Sequence, residues 1–113
     1  MCRLAPEAPV PAWAASGPLV SVTRTAEELS VVCGEEDVPA GVRCERGWRC
    51  LRVQGPLALA EIGVLSSLVA PLAAARISVF VVSTYDTDNL LVKEELLGVA
   101  RAVLAEHGHT IEG

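Results

Sequence analysis

The stretch Ile77-Ser-Val-Phe-Val-Val-Ser-Thr-Tyr-Asp-Thr-Asp-Asn-Leu-Leu-Val92 decides the fold. Its first seven residues form a near-continuous β-branched and aromatic run, the pattern of a strand covered on at least one face. Thr84-Tyr-Asp-Thr-Asp-Asn is turn chemistry, and Leu90-Leu-Val returns as a second short strand. Upstream, residues 61–75 place Ile62, Leu65, Leu68 or Val69, and Leu72 at the three-to-four spacing of one helical face, with Pro71 as an expected kink. Before that helix, Trp48-Arg-Cys-Leu-Arg-Val reads as a strand in which Trp48, Cys50 or Leu51, and Val53 face a core. Downstream, Lys93-Glu-Glu opens a helix whose stripe is Leu97, Ala100, Val103 or Leu104, and His107, and Gly108 ends it.

From Trp48 the order is therefore strand, helix, strand, strand, helix. If Thr110-Ile adds a last short strand, the result is an α+β βαββαβ domain of the ferredoxin-like plan, with an antiparallel sheet and two helices on one face. That plan leaves the other sheet face or the strand edges to be covered by the N-terminal hairpin, by a second chain, or by both.

The first 46 residues read as a separate unit, leaving 47–113 as the main domain. Residues 5–18 hold four of the seven prolines and Trp13, which makes this a rigid irregular connection whose apolar side chains cover a core edge. Leu19-Val-Ser-Val-Thr-Arg-Thr and Leu29-Ser-Val-Val-Cys flank the acidic Thr25-Ala-Glu-Glu as a β-hairpin. Gly34-Glu-Glu-Asp-Val-Pro-Ala-Gly is a charged turn.

Composition excludes several functions. A hydrophobic content of 51% marks a core-forming chain. The net charge of -5 and pI near 4.9, with scattered basic residues, argue against nucleic-acid binding. Cys2, Cys33, Cys44 and Cys50 form no C-x-x-C pair, and only His107 and His109 could join them, so neither a metal site nor a redox motif is expected. Free thiols in apolar runs fit a reduced, cytoplasmic protein. The N-terminus lacks the apolar stretch of a signal peptide, and residues 56–75 carry Glu61, Gly63 and Pro71, so no membrane segment is expected.

Catalytic candidates are thin. His107 and His109 lie far in sequence from any nucleophile, and His107 falls on the apolar stripe. Ser66-Ser67 lacks a glycine-flanked elbow, and no phosphate loop or dinucleotide fingerprint occurs. The expectation is no enzyme, no catalytic residue and no cofactor.

Leu59-Ala-Glu-Ile-Gly-Val-Leu-Ser-Ser-Leu-Val-Ala-Pro-Leu-Ala-Ala-Ala-Arg-Ile-Ser-Val-Phe and Val82-Ser-Thr-Tyr-Asp-Thr-Asp-Asn-Leu-Leu-Val resemble ACT domains. In particular they resemble the bacterial ACT proteins related to the CASTOR-type arginine sensors. The N-terminal Pro11-Ala-Trp and Val22-Thr-Arg-Thr-Ala-Glu-Glu-Leu-Ser-Val-Val are similar to the degenerate leading ACT-like unit of that group. That unit usually has a longer first strand before Cys2-Arg-Leu, so here it reads as truncated.

The resemblance implies an amino-acid-binding regulatory domain, an allosteric sensor whose ligand sits at an interface between two ACT units of a homodimer. One unit supplies the helix-start loop Glu61, Ile62, Gly63 and Val64 together with Thr84, Tyr85, Thr87 and Asp88. The other supplies Ser78 and Val79 at a strand edge. Thr87 departs from the arginine sensors, so the ligand is arginine or another amino acid. The alternative is a protein-interaction or dimerisation module with a vestigial pocket.

The residue types suit the task. Gly63 lets a ligand approach a helix start whose unpaired amides and dipole favour a carboxylate. Glu61 and Asp88 suit an ammonium or guanidinium. Each also has a plain structural reading: relief of crowding for Gly63, helix-start stabilisation for Glu61, turn formation for Asp88 and packing for Tyr85.

Overall fold

The computed structural model describes residues 1–53 and 63–112, apart from the side chains of Val53, Val64 and Glu112. The chain divides into two compact units, Met1–Gly47 and Trp48–Gly113.

The first unit is a three-stranded antiparallel sheet of β1 (Cys2–Leu4), β2 (Ser21–Arg24) and β3 (Leu29–Val32), in the order β1-β3-β2. The hairpin expected from alternation is present: Ser21 pairs with Val32 and Arg24 with Leu29. Its turn closes because the Thr25 hydroxyl accepts from the amides of Glu27 and Glu28, both at 3.2 Å. Strand β1 joins on the far side of β3, with Cys2 opposite Val31. The proline-rich connection makes one 3-10 turn at Ala12–Ala15 that buries Ala14, with Trp13 packed against the same core. Cys2, Leu29, Val31 and Val38 complete that core.

The second unit has the expected plan. Its strands are β4 (Trp48–Val53), β5 (Val79–Ser83), β6 (Asp88–Lys93) and β7 (Ile111–Glu112), and its helices are α1 (Val64–Ala74) and α2 (Leu97–Glu106). The sheet order β5-β6-β4-β7 is antiparallel at every pairing. Leu68 and Leu72 of α1, and Ala100 and Leu104 of α2, pack with Ile77 onto Leu51, Leu90 and Val92, all of them buried. Summed over side chains of this size, each worth about 1.5–3 kcal/mol when removed from water, this apolar layer is the main force holding helices to sheet.

Three details differ from expectation. Strand parity sends Leu51 to the helices and Trp48 to the opposite face, so the two cannot share one core. There Trp48 meets Phe80 edge to face, 4.6 Å between centroids, with Lys93 Nζ 4.7 Å from the indole ring. Next, Glu94–Leu96 is a separate 3-10 turn before α2 begins at Leu97. Finally, His107 is exposed at the C-cap of α2, its Nδ1 2.9 Å from the Val103 carbonyl, rather than on the buried stripe. The left-handed Gly108, φ 82°, ends the helix as expected.

Candidate functional site

Helix α1 starts after Gly63, which has φ 83° and ψ 0°. A β-carbon placed there meets no atom of the described residues within 4 Å, and the left-handed backbone is what favours glycine here. The first helical bond runs from the Ser67 amide to the Gly63 carbonyl, 2.9 Å. The amides ahead of it have no intrahelical acceptor, and among the described residues no side chain caps them. Gly63, Leu65 and Ser66 are exposed. Glu61 and Ile62 lie outside the described residues, as does the side chain of Val64.

The β5–β6 hairpin forms the second part. The Thr84 amide donates to the Thr87 carbonyl at 2.8 Å, and the Thr84 hydroxyl bonds the same oxygen at 3.1 Å while lying 3.3 Å from the Thr87 amide. Two residues, Tyr85 and Asp86, make the tip. Tyr85 is 82% exposed, so packing does not account for it. Just below, the Ser83 hydroxyl donates to Asp88 Oδ1 at 2.7 Å. Asp88 thus fastens the base of the turn, the structural role its residue type allows.

Strand direction decides which residues meet. Arg52 pairs with Asn89 and Trp48 with Lys93, so the end of β4 lies beside the start of β6 and the hairpin. Helix α1 returns across the sheet and, after Ala75 to Ser78, hands the chain to the start of β5. Gly63 and the Thr84–Asp88 turn are therefore at one end of the sheet. Ser78, exposed, and Val79, half-buried, are at the other, separated by the whole of β5, roughly 16 Å. Among the described strands β5 is an edge of the sheet, and no described strand pairs with its outer side.

Two further groups escaped sequence reasoning. His109 Nε2 lies 3.0 Å from the Ser67 carbonyl, on the first turn of α1. Asn89 is buried, donates through Nδ2 to the Val82 carbonyl at 3.3 Å and stands 3.9 Å from the Cys50 thiol. Burial raises the Cys50 pKa, although the Arg52 charge works against that. Alternation counted back from Leu90 puts Asn89 on the Trp48 face, but nothing in the sequence connects His109 with Ser67. Among the described residues no group of three potential metal ligands occurs, and no helix is long and apolar enough to cross a membrane.

Comparison with known proteins agrees with this architecture. A crystal structure of an Agrobacterium tumefaciens protein superposes with a TM-score of 0.89 at 44% identity, covering 96% of this chain and 81% of its own. The human cytosolic arginine sensor for mTORC1 subunit 1 is 41% identical over 58 residues, 50% of this chain and 18% of the sensor; the mouse protein is 38% identical over the same length. The chain thus matches under a fifth of the length of these curated relatives. A family model described as an N-terminal domain matches residues 1–41. The ACT domain model matches residues 43–106, more than half of the chain and the whole stretch from β4 to the end of α2, and the chain belongs to the ACT domain family.

Proposed function

We propose that this chain is an amino-acid-responsive regulatory domain, without catalytic chemistry of its own, whose ligand site is completed by a second copy. The observation that carries this reading is the split of the candidate residues. Gly63, Val64, Thr84, Tyr85, Thr87 and Asp88 gather at one end of the sheet, while Ser78 and Val79 lie at the far end of β5. That span is longer than a free amino acid, so one copy cannot apply both sets to one ligand. A homodimer that brings the start of one β5 to the helix start of its partner does so by symmetry.

The chemistry matches a zwitterion. Amides at a helix start such as that of α1 favour a carboxylate, and the Asp88 carboxylate favours an ammonium or guanidinium. The named function of the curated relatives, arginine sensing, makes arginine the first ligand to try, followed by the other amino acids. Their description as cytosolic supports a cytoplasmic location. The domain would act through differential affinity of the ligand for one arrangement of the dimer.

A thermal-shift and calorimetric screen of the twenty amino acids tests the proposal, because a ligand that binds only the folded state raises its apparent stability. One of them shifts the wild type, and neither Asp88→Ala nor Gly63→Trp, each shown folded by circular dichroism, responds. Absence of any shift leaves a dimerisation module with a vestigial pocket. A shift that survives both substitutions moves the site elsewhere.

A further inference from the structure

The first unit contains a second place where side chains are set up for chemistry. Cys2 on β1 forms an isolated antiparallel bridge with Cys44, 42 positions later in the chain. The bridge is held by two backbone bonds that straddle it, from the Arg3 amide to the Arg43 carbonyl at 2.9 Å and from the Glu45 amide to the Met1 carbonyl at 2.8 Å. This makes Cys2 and Cys44 a non-hydrogen-bonded pair, the type whose α-carbons approach to about 4.5 Å with side chains on the same face. That spacing lies inside the window a disulfide requires, about 4.4–6.8 Å between α-carbons.

We infer that Cys2 and Cys44 are a reversible disulfide site, closed by a small oxidised thiol of the glutathione class. Both thiols are free in the structure. Their surroundings set the order of events. Cys2 is buried among Leu29, Val31 and Ala14, and burial together with the thiol of Cys44 pushes its pKa up to about 11. Cys44 is half-buried and reachable. The Cys44 thiolate therefore attacks one sulfur of the oxidised glutathione, whose S–S bond breaks and whose other half leaves as a thiolate and takes up a proton. The mixed disulfide removes Cys44 as a competing thiol beside Cys2. Cys2 then loses its proton to solvent, attacks the Cys44 sulfur and expels the second glutathione. Two protein thiols and one glutathione disulfide become one protein disulfide and two glutathione thiols.

Cys33 is the natural competitor, since it packs on the same core. It follows the end of β3 and takes no part in a strand pairing with either cysteine, so no backbone register presents it to them. Cys50 belongs to β4 in the other unit.

The test equilibrates the full chain in buffers of rising oxidised-to-reduced glutathione ratio, blocks remaining thiols, and maps tryptic peptides by mass spectrometry. The expected result is a fall from four free thiols to two, with residues 1–3 linked to residues 44–46, a rate that rises with pH, and the same link in Cys33→Ser and in Cys50→Ser. Cys44→Ser retains all three of its thiols under the same buffers. The inference is overturned if four thiols persist at the most oxidising ratio, if reaction stops at a glutathione adduct on Cys44, or if the link involves Cys33, Cys50 or a second chain.

Discussion

His109 Nε2 lies 3.0 Å from the carbonyl oxygen of Ser67, the acceptor that residue 71 of a regular helix would use and that Pro71 cannot. Proline has no amide hydrogen, so the 71-to-67 bond of α1 is lost. The imidazole N–H from beyond α2 donates to that oxygen instead, and α1 continues through Pro71 to Ala74. His109→Ala should cost about 1 kcal/mol, the net worth of such a bond. In a Pro71→Ala background the helix supplies its own amide and the cost should shrink. A double-mutant cycle by urea denaturation measures this, and purely additive effects would show that the two residues are unconnected.

Gly63 separates conformation from crowding. Because its φ is 83° and a β-carbon would meet nothing among the described residues, Gly63→Ala should destabilise by about 1 kcal/mol through the left-handed backbone alone. Gly63→Asn, whose side chain tolerates that region, should lose less than half as much. Equal losses for both would mean that space, not φ, sets the residue.

What the sequence disclosed follows physical range. The β4-α1-β5-β6-α2 order was readable because each element carries its own period, and the Thr84–Asp88 turn because its bonds are local. The Cys2–Cys44 bridge was not readable, since a pairing across 42 positions leaves no mark in spacing. The His109–Ser67 bond is hidden for a similar reason: the missing amide of Pro71 is visible in sequence, but its substitute donor comes from another element. The sequence leaves open whether Cys50 or Leu51 shares a side with Trp48, and the odd separation of Trp48 from Leu51 puts these two on opposite faces. Among the site residues, the resemblance assigns Ser78 and Val79 to a different unit from the others, and strand direction puts them at opposite ends of β5 within one chain.

The Trp48 indole N–H is buried without a hydrogen-bond partner among the described residues. Leaving such a donor unpaired costs about 1–3 kcal/mol. Trp48→Phe keeps an aromatic edge against Phe80 and removes the orphan donor, so it should change stability by less than Phe80→Ala, which should cost about 2 kcal/mol in lost packing. The ranking of the two urea midpoints checks this, and a Trp48→Phe protein less stable than Phe80→Ala contradicts it.

In the second core, Leu72→Ala and Leu104→Ala remove fully buried side chains from the two helices that cover the sheet. Each should cost about 2–5 kcal/mol, by lost transfer energy and by the cavity left behind. Val99→Ala, on the exposed side of α2, should stay within about 0.5 kcal/mol. If Val99→Ala proves as costly as Leu104→Ala, the outer side of α2 is covered in solution, as a docked second copy would cover it.

The last prediction concerns pH. In the folded chain the Cys2 thiol is pushed from an ordinary value near 9 up to about 11, first by burial and then by the neighbouring Cys44 thiol. The unfolded chain therefore releases this proton before the folded one does. Stability contributed by the protonated thiol is fully present below pH 9 and is lost as pH rises toward 11, a change on the order of 2 kcal/mol. Cys33, also raised chiefly by burial, acts in the same direction. Trp13 packs on this core, so its fluorescence in a Trp48→Phe background follows unfolding of the first unit. Under reducing conditions, urea midpoints at pH 8 and pH 10.5 should diverge strongly in that background and less when Cys2→Ala is added, because the alanine has no proton to lose. An equal pH dependence with and without Cys2 would mean that its thiol ionises as readily in the folded unit as in the unfolded chain.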